Sequence, residues 1–350
     1  MSLYATCMLV VCFGLIFLQN FTTISAMEQF YNPPFSINSD VVNLVADISG
    51  TIGALSGFST PLHLRKNNKI RSIHSSLAIE NNSLSLEQVS AIIDGKKILG
   101  LKREIEEVKN AYACYELISK LSPYKISDLL KAHAIMMKDL VINNGKFRTG
   151  GVAVYKGDEI VHMAPPANQV PALVARLIDW LEVSDVHPLI KSCVFHYEFE
   201  FIHPFTDGNG RIGRFWQSLI LSKWNKIFSY LPIETVIYEN QQEYYEVLNS
   251  ADKFGDSTKF VEFMLKALKK ALKQFVLPTP CGGNEYVQKL VKVIGTREMS
   301  TTEIMVKLKL KNRANFRKNY LVPALEGNFI VPTFSIKNNP HQKYRIKSQV

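Results

Sequence analysis

The sequence predicts a mainly α-helical protein whose strands are confined to one hairpin and to the C-terminal end. Apolar residues recur at helical spacing through most of the 350 residues. Strands are predicted only within residues 147–163 and beyond residue 328, and the chain has no internal repeats or low-complexity tracts. An apolar content of 47% is ample for a buried core, and the length suits two or three domains.

The chain divides into five parts by changes in its pattern. Helices are predicted over residues 40–52, 86–93, 99–121, 126–141, 167–183 and 258–275. The run Leu277-Pro-Thr-Pro-Cys-Gly-Gly-Asn284 breaks the helical pattern and is predicted to be a linker. The parts are a leader (1–26), an N-terminal helical region (27–115), a central core (116–276), the linker (277–284) and a C-terminal domain (285–350).

The run from Ile202 to Arg214 carries most of the chemistry in the sequence. It contains an imidazole, a carboxylate, a Gly-Asn-Gly turn and two guanidiniums, at His203, Asp207, Gly208–Gly210, Arg211 and Arg214. A base, a metal ligand, a backbone anion cradle and two phosphate clamps are the groups that phosphoryl or nucleotidyl transfer requires. The run therefore indicates a site for a phosphate-bearing substrate.

Two amphipathic helices are predicted to flank this run. The upstream helix starts near His187-Pro188, and the downstream helix carries apolar residues at positions 212, 215, 216, 219 and 220. Arg211 and Arg214 face away from that apolar stripe, and the Gly-Asn-Gly turn immediately precedes the first helical turn. Free N–H groups and the helix dipole favour anions there, so we expect a polyphosphate.

Two other interpretations of the glycine turn remain open at this stage. Residues 208–213 also match G-x-G-x-x-G, the dinucleotide-binding fingerprint, which needs a strand before it. Residues 199–202 would pass as such a short strand, although a helix fits better. The second alternative is a solvated glycine turn with incidental charges.

The run from His203 to Arg214 resembles the H-x-F-x-[D/E]-G-N-G-R-x-x-R signature of Fic-domain proteins at every fixed position. The preceding residues 196–202 are also similar to the family's helix before the motif. The resemblance implies a Fic-type helical bundle and an enzyme that moves AMP from ATP to a Ser, Thr or Tyr hydroxyl of a target protein. The alternative is a DNA-binding regulator whose core senses ATP.

The resemblance also implies a role for each residue of the signature. His203 would be the general base, and Asp207 would hold Mg²⁺. The remaining contacts would go to the phosphates of ATP. The family pattern assigns them to Asn209 with the amides of Gly208 and Gly210 (α- and β-phosphates), to Arg211 (β-phosphate) and to Arg214 (γ-phosphate).

An upstream pair resembles the inhibitory helix of Fic proteins. Ser76 and Glu80 are four residues apart on one face of a predicted short helix, and Asn81 follows. By resemblance, Glu80 would pair with Arg214 and keep the γ-phosphate from binding productively. In one branch of the family the same carboxylate supports the removal of AMP, so the direction of the reaction stays open. A solvated helix face is the alternative.

Two further segments are predicted to contact the substrates. Residues 147–163 form a β-hairpin, and the resemblance makes it a flap that docks the target by edge-strand pairing, with contacts from Tyr155, Ile160, Val161, His162 and Met163. An ordinary surface hairpin is the alternative. After the signature, Tyr245 resembles the family's contact to adenine, whereas Asp252 stands where some relatives carry Asn. Tyr244 and Tyr245 as plain core or interface residues remain open.

The C-terminal domain is strongly basic. Residues 285–350 carry thirteen Lys and Arg against four Asp and Glu, which is nine of the chain's ten net positive charges. Helices at 286–293, 301–308 and 314–325, followed by strands at 329–335 and 344–347, predict a winged helix-turn-helix. Its charge would suit nucleic acid through phosphate contacts. A docking or dimerisation domain is the alternative, and we expect a homodimer.

The first 26 residues allow two interpretations. Residues 8–18 are strongly apolar, and Ile24-Ser25-Ala26 would pass as a signal-peptide cleavage site. No Lys or Arg precedes Arg65, however, and the apolar stretch is short for a membrane span. We favour an over-extended start codon and a bacterial cytoplasmic protein without stable membrane association, with a signal peptide or membrane anchor as the alternative. Five cysteines without disulfide or zinc spacing suit a reducing compartment.

Overall fold

The predicted mainly helical fold is confirmed by a computed structural model of the chain. The structure describes residues 31–55, 62–156, 159–276, 285–295, 297–326, 329–334, 339 and 342–346. The leader at 1–26 and the linker at 277–284 lie outside these described residues. In the described part of the chain, no helix combines the length and apolarity needed to cross a bilayer.

A large helical body precedes the linker. Its helices are α1 (Ser39–Ala54), α2 (Leu62–Ile79), α3 (Leu86–Ile93), α4 (Lys102–Tyr115), α5 (Ile126–Met136), α6 (Val170–Val183), α7 (Pro188–Ile202), α8 (Asn209–Trp224), α9 (Ile233–Glu239), α10 (Gln241–Phe254) and α11 (Thr258–Val276). Short 3₁₀ turns lie at Ala167–Gln169 and Lys226–Ser229. One continuous apolar core joins these helices.

The centre of the body is the pair α7 and α8, which pack along each other. His187 caps α7 by accepting the backbone N–H of Leu189, and Pro188 occupies the first helical position. Both helices are buried nearly all round, so Phe199 and Trp216 reach zero exposure. The segment before the glycine turn is thus helical, and the dinucleotide-fold interpretation is wrong because that fold needs a strand there.

The side of α8 that carries the two arginines is also buried. Arg211 and Arg214 are only 4% and 2% exposed. They do point away from the apolar core of α8, but α2 and α4 cover that side. The arginines therefore lie in a polar interior rather than at the surface.

Several helix bounds differ from the prediction for local reasons. The helix containing Ser76 is not short: α2 runs for 18 residues, and the polar run Lys66-Asn-Asn-Lys69 hid its pattern. The helix predicted over 99–121 is α4, which starts only after extended Leu101. That predicted over 126–141 is α5, which ends early, and Asp139 takes a left-handed conformation soon afterwards.

The predicted hairpin is present as β1 (Ala153–Lys156) and β2 (Glu159–Met163), which pair antiparallel. The register shifts between Val154 and Tyr155, which is a bulge. The side chains of Tyr155, Ile160 and Val161 lie outside the described residues, while those of His162 and Met163 are described. Met163 is largely exposed.

The C-terminal unit has its own apolar core, which includes Leu290, Phe316 and Ile330. Its elements are α12 (Glu285–Ile294), β3 (Met299–Ser300), α13 (Thr301–Lys307), α14 (Arg313–Phe316), a π turn (Arg317–Leu321), α15 (Val322–Glu326), β4 (Ile330–Pro332) and β5 (Lys343–Ile346). The strands form an antiparallel sheet in the order β3-β5-β4. The short strand β3 was not predicted.

Candidate functional site

The signature run forms a sharp connection between α7 and α8. His203 ends α7 in a left-handed conformation with φ of 49°, and its backbone N–H donates to the Phe199 carbonyl at 3.0 Å. Gly208 begins α8 with φ of 88°. A Cβ added at Gly208 would lie 2.6 Å from Sδ of Met137, so this position needs glycine for both conformation and space.

Asn209 holds the connection closed. Its side chain accepts the N–H of Phe205 and donates to the carbonyl of Phe205, both at 2.9 Å. The Phe205 ring is fully buried and stacks on His133 with ring centroids 3.7 Å apart. The Asn209 side chain thus bonds the backbone of its own loop, and the phosphate contact predicted for this residue would use its backbone N–H.

The helix α8 starts two residues earlier than expected, so Gly210 belongs to its first turn rather than to a preceding loop. The first N–H groups of an α-helix have no partner inside the helix, and they carry the positive end of its dipole. The N–H of Gly208 already donates to Oδ1 of Asp207 at 2.6 Å, so an anion would bind at the backbone of residues 209–211.

His203 is poised to accept a proton. Its Nδ1 lies 3.2 Å from the Glu200 carbonyl oxygen, which can only accept, so Nδ1 carries the hydrogen and Nε2 keeps a lone pair. Burial lowers the pKa of His203, although the charge of Glu200 opposes that shift. The imidazole is thus neutral at neutral pH, as a general base must be.

Arg214 is held by Ser76 and Glu80, the pair that the sequence singled out. Its Nη2 lies 2.7 Å from Oε1 of Glu80 and also donates to the Ser76 carbonyl at 3.0 Å, while Nε donates to the Ser76 hydroxyl at 3.1 Å. Burial opposes the charge on Arg214, and the charge of Glu80 more than compensates, so the pKa of the guanidinium lies above its ordinary value.

Glu80 lies in the turn directly after α2, where Asn81 is left-handed with φ of 67°. Its carboxylate also approaches the first turn of α8 so closely that a Cβ at Gly210 would collide with it. The carboxylate of Glu80 therefore lies at the helix N-terminus, a position that favours an anion, and next to Arg214, which would bind a phosphate.

Arg211, the other arginine of the signature, belongs to a second charged group, together with Asp207, Arg103 and Glu107. Arg211 Nη2 donates to Oδ1 of Asp207 at 2.8 Å, and Oδ2 of Asp207 lies 3.3 Å from Nη2 of Arg103. Glu107 Oε1 is 3.5 Å from Nη1 of Arg211. Within the described part of the chain, Nε and Nη1 of Arg211 are buried without a hydrogen bond. Buried donors of this kind fit a ligand with phosphate oxygens.

Asp207 is the candidate ligand for Mg²⁺. Its side chain is 38% exposed, and the described residues include no group of three or more His, Cys, Asp or Glu that would hold a metal. Mg²⁺ is commonly bound through one or two carboxylates together with substrate phosphates rather than in an all-protein cage. A single accessible carboxylate beside a phosphate site fits that mode.

His203, Glu80 and Arg214 line one cavity of about 440 Å³. Tyr245 lines it as well, and its hydroxyl donates to the Ile79 carbonyl at 3.3 Å. Tyr244 lines the cavity too, but it is 1% exposed and its hydroxyl lies 3.1 Å from Nε2 of His196. Of the two tyrosines, Tyr245 is the more exposed.

Several residues that build the site were not predicted from the sequence. Arg148 is 4% exposed, and its guanidinium donates to the carbonyls of Ile202 and His203 on one side and of Gly150 and Pro165 on the other. It thereby ties the hairpin region to the end of α7. Arg103, Glu107 and His133 were also missed, because nothing local in the sequence links them to the signature loop.

The helical body and this loop define a helical protein in which a histidine and two buried arginines lie at the junction of two central helices. A model of the Fic/DOC family matches residues 123–221, and a model of the "Filamentation induced by cAMP protein Fic-like, C-terminal domain" matches residues 285–347. The crystal structure of a Fic family protein from Desulfovibrio desulfuricans G20 is 49% identical, covers 91% of this chain and 99% of that chain, and has a TM-score of 0.69. The chain belongs to the Fic family.

More distant relatives agree. The protein adenylyltransferase Fic of Drosophila willistoni is 28% identical over 264 residues, which is 71% of this chain and 49% of that protein. The structure of Fic-1 from C. elegans shares the fold, with 23% identity, a TM-score of 0.57 and coverage of 67% of this chain and 71% of that chain. The chain spans about half the length of the curated relatives it matches.

Proposed function

We propose that this chain is a protein adenylyltransferase, which transfers AMP from ATP to a hydroxyl group of a protein. The observation that carries the proposal is that a neutral His203 and a buried Arg214 line one cavity at the N-terminus of α8. The names of the curated relatives support the same reaction.

The proposed chemistry assigns one task to each group. The acceptor oxygen attacks the α-phosphorus, its proton passes to Nε2 of His203, and pyrophosphate leaves. The first N–H groups of α8 stabilise the charge on the phosphate oxygens, and Arg211 and Arg214 bind the β- and γ-phosphates. Asp207 would hold Mg²⁺, which when bound neutralises phosphate charge.

We also propose that Glu80 restrains the transfer. A phosphate on Arg214 and the first turn of α8 would have to displace the carboxylate that now lies there. The same carboxylate would suit the removal of AMP by activating a water molecule. Release of AMP from labelled protein that requires Glu80 would reveal this reverse direction.

Radiolabel from two forms of ATP tests the forward reaction. In the Glu80→Gly variant we expect label to pass to protein from α-labelled ATP and not from γ-labelled ATP. Adding His203→Ala should abolish it. Glu116→Gly is the matched control, because Glu116 also follows a helix and pairs with a cation, Lys69. Transfer from γ-labelled ATP, or undiminished labelling without His203, would overturn the proposal.

A second candidate function is DNA binding by the C-terminal unit, as a winged helix-turn-helix. Arg313 and Arg317 are exposed, and their four-residue spacing puts them on one side of the helix that starts at α14. Lys318 on the same helix and Lys343 on β5 are also exposed. A helix with basic side chains on one side suits the major groove with phosphate contacts around it.

Retention on duplex DNA tests this candidate. We expect binding that weakens with salt, and we expect Arg317→Ala to reduce the slope of log affinity against log salt by about one. Lys266→Ala, on α11 of the helical body, is a control of similar charge change. Binding that is insensitive to salt, or equally reduced by the control, would instead favour a docking domain.

Two partner questions belong to the same proposal. The acceptor is a protein, with the chain itself as the first candidate, and tagged ATP with the Glu80→Gly variant in a cell lysate would identify it. We also propose that the chain forms a homodimer in a reducing cytosol. Light scattering in solution tests the dimer, and a monomer mass at all concentrations would refute it.

A further inference from the structure

His162 of the hairpin is bonded through both ring nitrogens. Its Nδ1 lies 2.7 Å from Oδ2 of Asp252 on α10, and its Nε2 lies 2.8 Å from the carbonyl oxygen of Phe201 on α7. A carbonyl oxygen only accepts hydrogen bonds, and an ionised carboxylate also only accepts them. With Asp252 ionised, both nitrogens of His162 therefore donate, which describes an imidazolium.

The contact joins three elements of the site. β2 supplies His162, α10 supplies Asp252, and the last turn of α7 supplies Phe201, two residues before His203. The side chains of His162 and Asp252 are 11% and 21% exposed, so the pair is shielded from water. Because both ring nitrogens are bonded and the pair is shielded from water, the orientation of the ring is fixed more firmly than in an exposed ion pair.

We propose that His162 and Asp252 form a charged latch that positions β2 against α7 and α10 beside His203. His162 is then a positioning residue: it fixes the edge on which an acceptor chain would lie relative to the base. This inference rests on the proposed function for its purpose, but not for its geometry. It also gives Asp252 a task other than contacting adenine.

The latch has an electrostatic effect on the base. The ring centroids of His162 and His203 are 6.4 Å apart, and a positive charge at that distance disfavours a proton on His203. Burial opposes the charge on His162, and Asp252 outweighs it, so the pKa of His162 is raised. Glu200 on α7 also faces His162 and favours its charge.

The other titratable group near Asp252 is Tyr197 on α7, and it does not supply the positive charge. Burial, and to a smaller extent the charge of Asp252, raise the pKa of Tyr197 above its ordinary value, so its hydroxyl stays neutral. His162 has no lone pair in this arrangement and is not a second base. The remaining partner of the charge is Asp252, which makes this carboxylate the position to alter.

Asp252→Asn is the principal test, with Glu243→Gln on the same helix as the matched control. The first measurement uses the ¹⁵N-enriched chain without nucleotide and without attached AMP. Nitrogen NMR of the His162 ring should show both nitrogens protonated at neutral pH. Asp252→Asn should lower its titration midpoint by about one pH unit or more. Amide exchange of residues 159–163 should become about tenfold faster or more, with α8 unchanged. The control should change neither.

A second measurement avoids dependence on a variant that folds poorly. In the unaltered chain, raising the pH through the midpoint of His162 should speed exchange of residues 159–163 beyond the intrinsic effect of pH. In the Glu80→Gly form, Asp252→Asn should raise KM for the acceptor protein more than it lowers kcat.

These readouts separate the latch from the proposed function. A neutral His162 ring at neutral pH, or exchange of residues 159–163 that ignores both Asp252→Asn and pH, would overturn the latch even if AMP transfer is observed. The NMR and exchange signatures without any AMP transfer would support the latch and count against the proposed function alone.

Discussion

Removing the carboxylate of Glu80 should tighten the binding of ATP. In the structure this carboxylate holds Arg214, whose side chain is 1% exposed, through a 2.7 Å contact. A hydrogen bond to a charged group contributes about 1.5–3 kcal/mol. Because Glu80 is 32% exposed, solvent screening places the value toward the lower end of that range.

The corresponding change in affinity follows from the competition. Each 1.4 kcal/mol is a factor of about ten, so Glu80→Gly should lower the Kd for ATP roughly ten- to thirtyfold. Calorimetric titration of ATP with Mg²⁺ into the His203→Ala form, with and without Glu80→Gly, measures this without turnover. Glu116→Gly in the same background is the control.

Two results would refute a competition between Glu80 and ATP for Arg214. If both His203→Ala forms bind ATP with the same Kd, Glu80 does not compete with the nucleotide for Arg214. If Glu116→Gly tightens binding as much as Glu80→Gly, the effect comes from a looser N-terminal region rather than from the freed arginine.

Three further outcomes are expected. Gly208→Ala should lower the free energy of unfolding by about 2–4 kcal/mol, through positive φ and overpacking, whereas Gly50→Ala on α1 should not; chemical denaturation measures both. Because burial lowers the pKa of His203, AMP transfer by the unrestrained form should fall only below the ordinary imidazole range, and a pH profile with its acid limb above pH 6.5 would contradict this. Arg148→Lys should cost about 2–3 kcal/mol in the same denaturation assay, because an ammonium cannot reach four carbonyls, and a loss under about 0.5 kcal/mol would count against the clamp.

Local patterns were enough to predict much of the helical body. The period of the apolar residues and the His187-Pro188 start placed α7 correctly, and alternation placed β1 and β2. The pattern failed at α2, where a polar run covers the first turns, since this helix is stabilised by packing rather than by an amphipathic stripe. The ends of α4 and α5 depend on single backbone conformations, which composition does not report.

The candidate site was predictable where it is contiguous in sequence. His203, Asp207 and the two arginines follow one another, and the spacing of Ser76 and Glu80 marked a helix face. The clamp from Arg148 and the pair of His162 with Asp252 join residues far apart in sequence, and no local pattern links them. The sequence also did not indicate that the side chain of Asn209 bonds the backbone of its own loop.

The buried guanidinium of Arg211 has a consequence for the stability of the protein. Among the described residues its Nε has no hydrogen-bond partner and its Nη1 has only the ion pair with Glu107 at 3.5 Å, and a buried donor without an acceptor costs about 1–3 kcal/mol. Any compound whose oxygens satisfy those donors relieves it, whether or not it includes a purine. Inorganic tripolyphosphate should thus raise the melting temperature of the protein, because its oxygens would complete the hydrogen bonding of a buried, charged side chain.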